Sequence, residues 1–269
     1  MGTSSSHGGP QGKNPLLPKD FSDVPSSDSE EQKEHPVSPQ INPNTELWKN
    51  AKIQISKLIS NSDRNMGSAL SSYVKAHGGG KGATVTAISG KATTAKLGNF
   101  LSSISSHGIK STFAEYKIEY ENRTVQEVLS DLVNKLSPSP NTKEDAVARN
   151  ALIDAMEIIY KEIDDNNGDI EILEKLDADK FNIIITSYIS SYIFQRFLSE
   201  LESRFEKYAA NEGSALQLEA SVKEYISGAV DNKLKGRDFS KLNYSTNQIQ
   251  NIINEIYTDC YTVIEEALS

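Results

Sequence analysis

From Asn44 onward, apolar residues recur at three- and four-residue spacing, the period of one helical face. Thr45 is placed to cap a helix carrying Leu47, Ala51, Ile55, Leu58 and Ile59. A second helix is predicted from Asp63 to Ala76, ending at the cluster Gly78-Gly79-Gly80. Val125, Val128, Leu129, Leu132, Val133 and Leu136 mark a helix that Pro138 and Pro140 terminate. Thr142 with Asp145 forms a capping-box-like start for a helix bearing Leu152, Ile153, Met156, Ile159, Tyr160 and Ile163. Asp164 to Asp169 reads as a polar turn. The next helix, from about Ala178 to Ala210, is apolar on most sides as far as Phe194. It then narrows to Phe194, Phe197, Leu198, Leu201, Phe205 and Tyr208, which puts its first half at the centre of a bundle. Leu218, Val222, Tyr225, Ile226 and Ala229 mark another helix. Ile249, Ile252, Ile253, Ile256, Tyr257, Cys260, Ile264 and Leu268 mark the last. Strand-like alternation is confined to one short candidate, Phe113 to Tyr120. The expected fold is all-α, a multi-helix bundle preceded by a long disordered N-terminal tail.

Residues 1–43 carry that tail. They hold seven of the nine prolines and the polar run Ser26-Ser27-Asp28-Ser29-Glu30-Glu31, and bury too little apolar surface to offset ordering entropy. Two islands interrupt them: the Gly/Ser-rich start, and Leu16-Leu17-Pro18 through Phe21, which reads as a docking peptide. As a coil, the tail would span about 35 Å end to end. Next comes a stretch of small side chains: 26 of the 43 residues from Met66 to Gly108 are Gly, Ala, Ser or Thr, implying closely packed or mobile helices joined by glycine breaks.

Charge divides the rest. The chain carries 37 acids and 28 bases, a net −9, yet six bases and no acid lie between Arg64 and Ala114 (Arg64, Lys75, Lys81, Lys91, Lys96, Lys110). The expected organisation is therefore the tail 1–43, a small basic helical subdomain 44–118 and an acidic helical bundle 119–269. An acidic balance argues against wholesale coating of nucleic acid or anionic membrane. No stretch approaches the ~18 apolar residues of a spanning helix, and the start lacks a signal-peptide pattern. A single cysteine, Cys260, allows no internal disulfide. A cytoplasmic protein with no membrane contact is expected.

Catalytic and metal motifs are incomplete. Lys81 in Gly78-Gly79-Gly80-Lys81-Gly82 lacks the Ser or Thr that a phosphate-binding loop needs next to its lysine. Asp164-Asp165-Asn166-Asn167-Gly168 resembles part of a calcium loop, but Ile163 occupies the first ligand position. The four histidines (His7, His35, His77, His107) have no HExxH or cysteine company. Cys260 lies on a core stripe beside Asp259, a setting for an inert thiol. The chain is expected not to be an enzyme, and to need no metal or cofactor. The basic segment 64–110 could meet an acidic partner, or serve as a nucleic-acid-binding surface with only Tyr73, Phe100 and Phe113 interleaved.

The start of the chain carries the most chemistry. Gly2 permits removal of Met1, which exposes a glycyl α-amine with a reference pKa of about 7.7–8.0. An appreciable fraction is then an uncharged nucleophile near neutral pH. Lacking a side chain, glycine threads a narrow pocket, and Thr3, Ser4, Ser5, Ser6, His7, Gly8, Gly9 and Pro10 follow as an adaptable peptide. Met1-Gly2-Thr3-Ser4-Ser5-Ser6 also satisfies the N-myristoylation pattern M-G-x-x-x-[ST].

This opening, with Asn14-Pro15-Leu16-Leu17-Pro18, Trp48, Ala51-Lys52 and Tyr73-Val74 before the glycine cluster, resembles the B component of bacterial Qat antiphage defence systems. The resemblance covers the tail and roughly the first 110 residues. It implies a non-enzymatic partner of a QueC-like enzyme, the system's C component, together with an ATPase and a TatD-like nuclease. QueC enzymes use ATP to activate the carboxylate of a 7-deazaguanine precursor. The resemblance implies that this acyl group is joined to Gly2, with Thr3 to Pro10 held in the enzyme's groove. The alternatives are an unmodified structural adaptor within a defence complex, or nucleic-acid binding through 64–110.

Overall fold

The computed structural model describes residues 43–60, 65–208 and 212–266. Among the described residues nine α-helices follow one another: α1 Pro43–Ile59, α2 Met66–Ala76, α3 Gly79–Thr86, α4 Ile88–Tyr116, α5 Val125–Leu136, α6 Lys143–Asp164, α7 Ala178–Tyr208, α8 Glu212–Leu234 and α9 Ile249–Glu266. Short 3₁₀ turns lie at Ile170–Lys175 and Phe239–Lys241. There is no strand among the described residues, and the architecture is all-α. The expected disorder of residues 1–43 falls outside the described residues except at Pro43, which opens α1.

Local chemistry explains most boundaries. Capping boxes start both α5 (Thr124 with Glu127) and α6 (Thr142 with Asp145). Thr45 is not a cap: α1 begins two residues earlier, at a proline whose missing N–H costs nothing in a first turn. Asn65 caps α2 by accepting from the Ser68 N–H, so that helix starts later than Asp63. After α6, Asn167 and Gly168 adopt positive φ, and the Gly168 N–H returns to the Ile163 carbonyl. Ile163 is buried, so this turn ends a helix.

The Phe113–Tyr120 stretch is a helix end. Lys117 takes a left-handed conformation, with Ile118 N–H donating to the Phe113 carbonyl and Lys117 N–H to that of Ala114, the Schellman pattern. The aromatic spacing that suggested a strand serves a ring cluster instead: Phe113 lies 5.8 Å from Phe100 and 5.1 Å from Tyr120. Earlier in α4, Gly108 (φ 78°, ψ 166°) kinks the helix, and Glu174 accepts from the Ile109 N–H that the kink frees.

The first half of α7 is the centre of the body. Ile184, Ile185, Tyr188, Ile189, Tyr192, Ile193 and Phe197 are all buried, each worth about 1.5–3 kcal/mol if an aliphatic or Phe side chain is fully removed from water. α6, α8, α1 and α4 pack around α7, while α9 packs on α2, α3, α4 and α8. Residues 41–269 form one compact unit with a shared core. The boundary at 118 is therefore one of composition and charge inside a single packed body. The small residues of α4 also find their reason here. A Cβ on Gly90 would lie 2.4 Å from the Tyr192 ring, so only glycine lets that ring rest on the helix backbone.

Candidate functional site

The expected site, Gly2 to Pro10, lies outside the described residues. Within them, the densest polar chemistry converges on the α2–α3–α4 junction. α2 stops at His77, and Gly78 and Gly79 turn with positive φ into the short α3. Ala87 (φ −83°, ψ 56°) breaks the chain between α3 and α4.

Two charged side chains hold this junction. Glu144, in the first turn of α6, accepts from the N–H groups of Ser89 and Gly90 at 2.9–3.0 Å, capping α4 from outside. Its carboxylate thus sits at the positive ends of two helices at once. Tyr192 donates to the same carboxylate at 2.6 Å, and Ser89 donates its hydroxyl proton to Asp145. Hydrogen bonds from Ser89 and Thr142 hold the Asp145 carboxyl below its ordinary range. Nearby Lys91 is less basic than usual because burial outweighs the pull of Glu144.

The second is Arg196 of α7, whose side chain is only 6% exposed. Its Nε donates to Glu200 at 2.9 Å; Nη1 donates to the Ala83 carbonyl (2.9 Å) and Tyr261 hydroxyl (3.3 Å); Nη2 donates to Thr86 Oγ1 (2.7 Å). Nη2 also lies 3.4 Å from His77 Nδ1, while His77 Nε2 is 2.7 Å from Glu200. With its proton on Nε2, one histidine tautomer satisfies both contacts. Burial works against the Glu200 charge, yet His77 and Arg196 outweigh it and hold that carboxyl below the usual range. Trp48 and Tyr73 close over His77, each with ring centroids 4.9 Å away.

The outer face of this clamped corner is apolar. Val85 and Ile88, on either side of Ala87, are 70% and 69% exposed, the most exposed large hydrophobic side chains described. Exposed Lys81 and half-buried Lys91 lie one helical turn beyond them along the chain. Two aliphatic side chains thus stay in solvent at a corner whose backbone is held by Glu144 and Arg196. Glu144→Gln tests the clamp: the charge at both helix ends is lost while shape is kept. The expected cost is about 1–2 kcal/mol, with faster hydrogen exchange at the Ser89 and Gly90 amides than elsewhere in α4.

Other sequence candidates fall elsewhere. The Gly80 N–H donates to Glu265 at 2.8 Å, and a carboxylate there is incompatible with a phosphate cradle around Lys81. Burial pushes the Cys260 thiol up to about 12, Asp259 contributing, so it stays protonated near neutral pH. No group of residues able to hold a metal is found among the described residues, and no described helix is long and apolar enough to cross a membrane. Lys75, Lys81, Lys91, Lys96 and Lys110 are spread over α2, α3 and α4; Arg64 lies outside the described residues. Sequence reasoning missed the clamp. Arg196 was its visible signal, a lone cation among the apolar positions Phe194, Phe197 and Leu198 with Glu200 one turn on.

These helices define an all-α bundle in which charged side chains hydrogen-bond one corner from within while Val85 and Ile88 remain exposed on it. A family model described as Qat anti-phage system associated protein QatB matches residues 78–264, from the start of α3 almost to the end of α9, and the chain belongs to this family. It is thus a component of an antiphage defence system. The matched region overlaps the residues that carried the sequence resemblance only between Gly78 and about residue 110. No curated protein and no solved structure matches the chain.

Proposed function

We propose that this protein is the modification substrate and docking partner within its defence system: a QueC-like enzyme conjugates a deazaguanine acyl group to Gly2, and the helical body holds system components together. The observation that carries this reading is the start Met1-Gly2-Thr3-Ser4-Ser5-Ser6-His7-Gly8-Gly9-Pro10 on a chain of the QatB family. The chemistry is an acyl transfer. Once Met1 is removed, the neutral glycyl amine attacks the ATP-activated carbonyl, an amide forms, the amine loses a proton and the activating group leaves. Thr3 to Pro10 supply backbone amides for an extended groove with little side-chain bulk.

Reconstitution tests this directly. The purified chain, the QueC-like partner, ATP and the deazaguanine carboxylate should yield a mass increment confined to the peptide that begins at Gly2. An unmodified peptide in the presence of demonstrably active enzyme would favour the plain adaptor. The docking half has its own test at the corner. Val85→Asp with Ile88→Asp changes only exposed positions, so stability should move by no more than about 0.5 kcal/mol per site. Co-purification with the system's other proteins should drop at least about tenfold, the loss of roughly 1.4 kcal/mol of binding. Undiminished co-purification would remove the corner from the interface.

A further inference from the structure

Beside Trp48, α1 and the end of α7 border a groove of about 680 Å³. Lys49, Lys52 and Lys57 of α1 and Arg204 of α7 line it, with Trp48 and Ile53 supplying apolar surface and no carboxylate among the described lining residues. Lys49, Lys52 and Lys57 are exposed, and none lies within ion-pair distance of a described carboxylate. Glu46 is the single acid on α1. On a chain of net charge −9, this is a concentrated positive surface.

We propose that this groove docks an acidic peptide segment of another protein. The spacing favours an extended strand. Lys49 and Lys57 are eight residues apart, about 12 Å along a helix, which an extended peptide crosses in about four residues. Carboxylates at both ends of such a segment meet lysines, and an apolar residue between them meets Ile53, which is 45% exposed. A nucleic-acid strand uses the cations but leaves Ile53 unsatisfied, and it approaches a body whose overall charge repels it. The inference stands apart from Gly2 modification, since it concerns α1 and no step of the acyl transfer.

Trp48 is the only tryptophan in the chain, so its emission reports on the groove. The full-length protein is titrated at low salt with a synthetic peptide carrying acidic pairs on both sides of one leucine, followed by Trp48 emission and by calorimetry. Saturable binding is expected, weakening about tenfold or more in physiological salt and by a similar factor in Lys49→Glu/Lys52→Glu/Lys57→Glu. These lysines are exposed, so the variant's thermal melt should match the parent's. Absence of saturable binding in both readouts overturns the proposal, as does equal affinity for the triple variant or for a peptide with Gln in place of each acid. Displacement of the peptide by a single-stranded oligonucleotide at lower concentration overturns it in favour of nucleic acid.

Discussion

Arg196→Ala should destabilise the body by about 3 kcal/mol, the low end of what breaking a buried ion pair costs. The side chain is 6% exposed and its donors reach Glu200, Ala83, Tyr261 and Thr86. Alanine strands the Ala83 carbonyl and the Tyr261 hydroxyl and opens a cavity beneath α3. The low end applies because Glu200 is 28% exposed and keeps His77 as a partner. A urea titration should show a lower midpoint with an unchanged slope. The pH dependence is a second signature. In the parent, Glu200 is held below its ordinary range, so its contribution is present above that range and lost as pH falls through the lowered value. Without Arg196 one of the two partners that hold this carboxyl down is gone and only His77 opposes burial, so less of the variant's stability is lost to acid. The gap between the two proteins should therefore narrow as pH falls from about 5 to 3. A change below about 1 kcal/mol, or a gap independent of pH, would mean that the clamp contributes little.

Gly2→Leu should abolish conjugation and return phage plating to that of cells lacking the system, with the melting temperature unchanged. Leucine acts twice: it blocks removal of Met1, which requires a small second residue, and its side chain would obstruct the narrow groove that the proposed conjugation requires. Gly2→Ala separates the effects. Alanine still permits Met1 removal and presents an amine of similar basicity, so any loss reports on the groove alone. Residues 41–269 are a compact unit on their own, so neither substitution should alter the helical body. Full conjugation and full protection with leucine would contradict the assignment of Gly2.

Helices with a clean apolar period and a strong stop were legible in the sequence. α5, between the spacing Val125 to Leu136 and Pro138, and α6, from Thr142 to the turn at Gly168, appear where the residues place them. Local rules failed where tertiary contacts decide. The small-residue stretch gave no apolar stripe to follow, because α4 buries Gly90, Thr93, Thr94 and Gly98 against rings from other parts of the chain. Phe113 to Tyr120 alternates because its rings meet Phe100, thirteen residues earlier. The clamp was hidden for the same reason: Arg196 meets Ala83 across 113 positions, and Ser89 meets Glu144 across 55. Ile153 belongs to the apolar spacing of α6 but is 44% exposed, since the stripe is wider than the buried face. The proposed acceptor was legible as chemistry, in a glycyl amine followed by an unobstructed peptide.

The most direct measurement is the intact mass and N-terminal peptide mass of the protein purified from cells carrying its neighbouring defence genes. The account predicts a chain without Met1, bearing a deazaguanine-sized adduct on Gly2 that disappears when the QueC-like gene is deleted. An unmodified glycine in cells that still resist phage, or a fatty-acyl mass at that position, would contradict it.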